Sequence, residues 1–170
     1  WGTWFNVEPG TNPGFLYQQN TMRDAQVAAL TLNIFNAHAD RIVMANLAQT
    51  VNVLQSVILT EGDKMVLTPT YHVFDLYKAH QDAAQADVDV QCAQIGENGV
   101  TLPQLSASAS VKDGLLTITC SNASPTDEME LDILLKDFDA TGVRGRILSG
   151  SMDMYNDFTS APAEVLPLEG

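Results

Sequence analysis

The sequence predicts an α/β segment followed by an all-β segment, with the change near residue 80. Three observations carry this. Apolar residues recur at helical spacing over residues 22–35 and then form an unbroken run of strand length at 42–47. Beyond residue 100 the period becomes two: Leu105, Ala107, Ala109 and Val111 alternate with Ser106, Ser108 and Ser110. The charge shifts at the same place. Residues 1–80 hold 4 Lys and Arg against 6 Asp and Glu, a net of −2, whereas residues 81–170 hold 4 against 15, a net of −11.

Residues 1–5 are aromatic and β-prone, like the end of a buried strand, and residues 6–20 read as a long loop rich in Gly, Pro, Asn and Gln. Thr21 then serves as a helix N-cap with Asp24 three residues on. The helix extends to about His38, with Met22, Ala25, Ala28, Ala29, Leu32 and Phe35 on one face. The run Ile42-Val43-Met44-Ala45-Asn46-Leu47 lacks alternation, which predicts a strand covered on both faces. Two short apolar runs within 53–67 are split by Glu61-Gly62-Asp63, a hairpin signal. Thr68-Pro69 starts a second helix, with proline at its first position, that carries Val73, Phe74, Leu76 and Tyr77 and fades near Gln81. Asp113-Gly114 marks a turn between the serine-alternating run and Leu116, Ile118 and Cys120. Met129, Leu131, Ile133 and Leu135 alternate again with Glu130 and Asp132 outward, and a further strand is expected over 146–152. Four or five such strands predict an antiparallel β-sandwich. The α/β part is too small to stand alone, since a parallel barrel needs eight strands and eight helices; it reads as the tail of something larger.

Composition narrows the function. The chain has 170 residues, is 45% apolar and carries a net charge of −13. Nucleic acid and anionic membrane surfaces are poor partners for such a charge, because both select basic faces. No apolar run approaches the roughly 20 residues of a membrane helix. Trp1-Gly2-Thr3-Trp4-Phe5 has neither the charged opening of a secretory leader nor an initiator methionine, so the start predicts a piece of a longer chain. Cys92 and Cys120 are too few for a disulfide framework; they read as free thiols, with pairing left open. No Cys or His spacing suggests zinc, and no EF-hand frames the acidic pairs Asp127-Glu128 and Asp137/Asp139, which read as solvated surface. His38, His72 and His80 lie within or at the ends of helices without ligand spacing and read as structural. There is no Gly-x-Ser-x-Gly elbow. Asn122-Ala123-Ser124 fits a glycosylation sequon, but Pro125 follows and a chance match is the better reading.

Several strings carry a resemblance. Trp1-Gly2-Thr3-Trp4-Phe5, Glu8-Pro9-Gly10 and Leu16-Tyr17-Gln18-Gln19-Asn20-Thr21 occur in order, followed by His38-Ala39-Asp40-Arg41, Ala45-Asn46-Leu47-Ala48-Gln49-Thr50-Val51-Asn52-Val53-Leu54-Gln55 and Leu67-Thr68-Pro69-Thr70-Tyr71-His72-Val73-Phe74. Together they resemble the α-L-arabinofuranosidases of glycoside hydrolase family 51, densely over residues 1–82 and thinly over 83–170. The resemblance implies the tail end of a (β/α)8 barrel over 1–82 and an antiparallel β-sandwich over 83–170. Residues 1–5 would end the seventh barrel strand and residues 42–47 would form the eighth, both at the face where barrel enzymes place their sites.

It also implies a retaining hydrolase of terminal α-L-arabinofuranosyl groups of arabinan or arabinoxylan, with an arabinose-containing oligo- or polysaccharide as partner and no metal or organic cofactor. In the family a glutamate directly before the residue matching Trp1 is the nucleophile, and the acid/base glutamate lies further upstream. Neither is in this chain, so the fragment is expected to be inactive alone. Family members often form hexamers, which leaves a homo-oligomer open, and compartment stays open between cytoplasm and periplasm or exterior.

Two residues are expected to touch substrate. Trp4 matches a residue lining the arabinose pocket, where an indole face suits the apolar face of a sugar; the alternative is a core tryptophan at a strand end. Gln49 matches a glutamine that hydrogen-bonds substrate, using both amide donor and acceptor; the alternative is a polar cap. Trp1 reads as packing, with a site role the alternative beside the nucleophile, and Asn46 and Asn52 read as structural, with a substrate contact the alternative for each. The rival to an enzyme is a non-catalytic carbohydrate-binding or structural β-sandwich protein. Residues 83–170 supply only Phe138, Tyr155 and Phe158 as aromatics for a sugar-binding face, so a bracing role suits them better.

Overall fold

The computed structural model describes residues 2–4, 6, 10, 19–47, 50–54 and 56–168. Helix α1 spans Met22–Ala37 and helix α2 spans Pro69–Tyr77, prolonged by a 3-10 turn at Lys78–His80. Between them lies the hairpin β1 (Ile58–Glu61) and β2 (Lys64–Leu67), joined through Gly62 at a φ of 61°. A two-residue turn with a left-handed glycine first matches the twist of paired strands. The later part holds β3 (Ala84–Ala86), β4 (Gln94–Glu97), β5 (Val100–Pro103), β6 (Leu105–Lys112), β7 (Leu115–Asn122), β8 (Gly145–Leu148) and β9 (Val165–Leu168). They form three antiparallel sheets: β3-β6-β7, β4-β5 and β8-β9. The architecture is therefore an α/β region with few helices followed by several antiparallel sheets, with no closed barrel among the described residues.

Small residues let the two helices approach closely. Ala25, Ala28, Ala29 and Leu32 of α1 meet Val73 of α2, and Phe35, Phe74, Tyr77 and Leu148 flank this cluster. The apolar face expected from the spacing is the buried face. The start of α1 is capped from two sides. Asp24 accepts the Thr21 backbone N–H at 2.8 Å, and the first free N–H groups, of Met22 and Arg23, donate to the carbonyls of Met154 and Met152 at 2.9 and 3.0 Å. Thr68 caps α2, and its hydroxyl also donates to the Ser56 carbonyl at 3.0 Å.

The other side of α1 packs on the β6–β7 ladder through polar groups. Asn33, only 2% exposed, donates to Ser106 Oγ at 3.2 Å; its Oδ1 accepts from Tyr77 and Ser108 at 2.9 Å and from Thr119 at 3.1 Å. Asn36 donates to Ser108 Oγ at 3.0 Å. The serines of the alternating strand are thus its helix-facing side. A buried polar seam of this kind holds only if its members are paired.

Three expectations need correction. Residues 42–47 form no strand, and Val43 and Met44 stand 93% and 72% exposed. Residues 2–4 form none either, so the seventh and eighth barrel strands are not seen among the described residues. A strand needs a hydrogen-bonded neighbour, and neither piece has a ladder partner among the described residues. Residues 129–135 are likewise unpaired, with Ile133 58% and Leu134 83% exposed. In the opposite direction, the hairpin β4–β5 was not expected. Its turn is Asn98-Gly99, both at positive φ (53° and 81°), the same dipeptide chemistry as Asp113-Gly114 (51° and 76°) between β6 and β7.

Candidate functional site

The segment Gly2-Thr3-Trp4 owes its path to two devices. Gly2 sits at a φ of 135°, a conformation side chains disfavour. Thr3 is tied to the start of α1: its hydroxyl donates to Asp24 Oδ1 and accepts from Arg23 Nη2 at 3.2 Å. Asp24 is itself buried, with its second oxygen taken by the Thr21 N–H at 2.8 Å and the Thr21 hydroxyl at 3.2 Å. A desolvated carboxylate holds such partners firmly, because an unpaired one is costly. Trp4 follows directly and is 68% exposed. It lies in no strand and is not a core side chain of this chain.

Gln49 and Trp1 lie outside the described residues. The chain just beyond Gln49 is held by Asn52, which adopts a left-handed φ of 53° and clasps Thr60 of β1. Its Nδ2 donates to the Thr60 carbonyl at 3.1 Å and hydroxyl at 2.9 Å, while its Oδ1 accepts the Thr60 N–H at 2.7 Å. The backbone closes the same loop: Val57 and Ile58 N–H both reach the Thr50 carbonyl at 3.1 Å. Asn52 therefore spends its amide on the fold, as expected. Asn46 is exposed. The Thr3 anchor has no sequence signal beyond a glycine beside a tryptophan, whereas Asn52 is named from sequence as structural, with a substrate contact as its alternative.

His80 is tied to the β6–β7 ladder by both ring nitrogens. His80 Nδ1 lies 2.7 Å from Ser110 Oγ and Nε2 lies 3.0 Å from Thr119 Oγ1. Burial lowers its pKa below 6.5. Burial also lowers that of His72, against the opposing pull of Asp75. Asp75 is held below the usual carboxylate range by its bond from Lys78, with Arg146 adding a second contact at 3.1 Å. Burial raises the Tyr77 hydroxyl well above its ordinary value. Cys92 and Cys120 are both free. Cys92 Sγ accepts the Leu105 N–H at 3.4 Å, while burial pushes the Cys120 thiol up. Asn122, the sequon residue, donates to the Asp127 carbonyl and accepts the Ser124 N–H at 3.0 Å. Among the described residues no three His, Cys, Asp or Glu side chains gather to hold a metal ion, and no helix is long and apolar enough to cross a membrane.

Comparison with known proteins decides the family. The model of the α-L-arabinofuranosidase C-terminal domain matches residues 1–169. The chain belongs to this family. It is 50% identical over 161 residues to an intracellular exo-α-L-arabinofuranosidase of Bacteroides ovatus, covering 93% of this chain and 31% of that protein. Among solved structures it is similar to the family 51 arabinofuranosidase of Xanthomonas axonopodis pv. citri, at 42% identity and a TM-score of 0.84, over 100% of this chain and 35% of that one. The fold is shared with the thermostable family 51 enzyme of Thermotoga petrophila, at 23% identity and a TM-score of 0.80, over 99% of this chain and 37% of that one. The chain thus spans about a third of the length of these relatives. Within the matched residues, one short segment carries both the anchored Thr3 and the exposed Trp4.

Proposed function

We propose that this chain is the C-terminal part of a retaining exo-α-L-arabinofuranosidase that removes terminal α-L-arabinofuranosyl groups from arabinose-containing oligo- or polysaccharides. The observation that carries the proposal is the family match along residues 1–169, joined to a 50% identical arabinofuranosidase relative. In this reading residues 1–82 complete a (β/α)8 barrel and residues 83–170 form a β-sandwich that braces it. The strand-length runs at 42–47 and 129–135 take their partners from the rest of the protein. The exposure of Val43 and Met44 supports this, because apolar side chains left that open are suited to cover by another segment.

The nucleophile is a glutamate directly before Trp1, and a second glutamate upstream protonates the leaving group. A covalent arabinosyl–enzyme forms on the first; water then releases it as the second switches from acid to base. The chain alone, with neither carboxylate, is inactive. Trp4, 68% exposed in this chain, offers its indole face to the arabinose ring. Gln49 hydrogen-bonds a sugar hydroxyl.

The test is kinetic. In the full-length protein, Trp4→Ala and Gln49→Ala are each expected to lower kcat/KM on a nitrophenyl α-L-arabinofuranoside by about ten- to a hundredfold, the scale of one or two lost substrate contacts. Near-wild-type kinetics in both variants would remove these residues from the site. Absence of arabinofuranosidase activity in the unmodified protein would remove the function.

A further inference from the structure

The buried carboxylate at the start of α1 does more than cap a helix. A capping residue normally satisfies N–H groups of its own helix. Asp24 does that with one oxygen, which takes the Thr21 N–H at 2.8 Å. Its other oxygen points out of the helix to a hydroxyl 21 residues earlier in the chain, that of Thr3. Arg23, next to it, reaches the same hydroxyl at 3.2 Å and lies 3.9 Å from Asp24 Oδ1. Thr3 is thus held by a carboxylate and a guanidinium from one rigid helical turn. On its far side is the exposed Trp4, and before it Gly2 bends at a φ of 135°. The first N–H groups of α1 are met by the Met152 and Met154 carbonyls, so the Thr3 contact lies outside the helix cap itself.

We propose that Asp24 and Arg23, acting through the Thr3 hydroxyl, are positioning residues that fix the Trp4 indole against the substrate. This rests on the reading of Trp4 as a substrate contact. Trp4 belongs to no strand among the described residues; a ladder completed by the rest of the barrel would tie main chain to main chain, whereas the Thr3 hydroxyl adds a side-chain tie one residue before the ring. The clamp ties the residue next to the ring to the first turn of α1. Side chains that touch substrate need supporting hydrogen bonds to hold productive geometry, and a displacement of about 1 Å can cost up to a hundredfold in rate.

The experiment uses the full-length enzyme and a nitrophenyl α-L-arabinofuranoside. Thr3→Val keeps the shape of the side chain and removes its hydroxyl; it is expected to lower kcat/KM about tenfold at a temperature well below unfolding, with some loss of melting temperature because Asp24 Oδ1 loses a donor. Thr3→Ala, which adds no steric demand, gives the same loss, and Thr3→Ser, which keeps the hydroxyl, stays within twofold of wild type. Placed on Trp4→Ala, the valine substitution has no further effect, because both act through one ring. Full activity of Thr3→Val beside a crippled Trp4→Ala would overturn the clamp while leaving the Trp4 reading intact. Losses that multiply in the double variant would overturn it too, since Thr3 would then act elsewhere. An equal loss in Thr3→Ser would overturn the role of the hydroxyl. Wild-type kinetics in Trp4→Ala would remove the Trp4 reading and the clamp with it.

Discussion

Replacing Asn33 by alanine removes the residue on which α1, α2 and the β6–β7 ladder converge. Its side chain makes four hydrogen bonds, to Ser106, Tyr77, Ser108 and Thr119, at 2.9 to 3.2 Å. Each is worth roughly 0.5–1.5 kcal/mol net, and a buried partner left unsatisfied costs about 1–3 kcal/mol. The partners have partial substitutes. Tyr77 also donates to the Ala29 carbonyl at 3.1 Å, and Ser108 and Thr119 lie 2.9 Å apart. Ser106 Oγ has no such alternative among the described residues. The expected loss is therefore about 2–4 kcal/mol, below the simple sum of four bonds. With a urea dependence of about 2 kcal/mol per molar, the unfolding midpoint falls by about 1–2 M. Ile34, the next residue and 56% exposed, is the control: Ile34→Ala should move the midpoint by no more than about 0.25 M on the same scale. A shift in Asn33→Ala no larger than that of the control would refute the idea that this polar seam joins the helices to the sheet.

Other expectations follow from single contacts. Asn52→Ala forfeits three bonds to Thr60 and forces alanine into a left-handed φ of 53°, which costs about 1–2 kcal/mol more than for asparagine or glycine. Proteolytic nicking over residues 50–57 should rank alanine fastest, glycine next and wild type slowest; equal rates for the alanine and glycine variants would remove the conformational part. Stability should also depend on acid. His80 and His72 both have folded pKa values below 6.5, so the unfolded chain binds more protons as pH falls through that value. Their contribution is complete above 6.5 and is lost as pH drops toward the folded values. The urea midpoint should fall between pH of about 7.5 and 5.5, and His80→Gln should flatten that slope. An unchanged slope in the variant would mean that His80 does not titrate on unfolding.

Local signals were legible in the sequence where one element decides the outcome. The alanine-rich face of α1, the proline start of α2 and the Asp113-Gly114 turn all appear where spacing and turn chemistry put them. The Asn98-Gly99 hairpin carries the same kind of signal, but its strands are four residues long and Gly96 interrupts the pattern. Period alone does not name a partner: 42–47 and 129–135 have strand-like patterns and no ladder among the described residues. Nor does it say which face is inward. Ser108 and Ser110 look like a solvent side by composition, yet each is 4% exposed, because Asn33 and Asn36 of α1 and His80 of the turn meet them with matching polar groups.

The site was the least legible. Trp4 and Gln49 came from the family resemblance, Gln49 lies outside the described residues, and the Thr3–Asp24 contact joins groups too far apart in sequence for spacing to reveal. Asn52 shows the reverse case: its place beside a candidate site residue reflects an anchor to β1.

The most direct measurement of the central claim is to trap the covalent intermediate of the full-length protein with a fluorinated arabinofuranosyl inactivator and map the labelled peptide. The expected result is a single arabinosyl adduct on a glutamate immediately before Trp1-Gly2-Thr3-Trp4. An adduct on any other residue, or an active protein that never forms one, would contradict it.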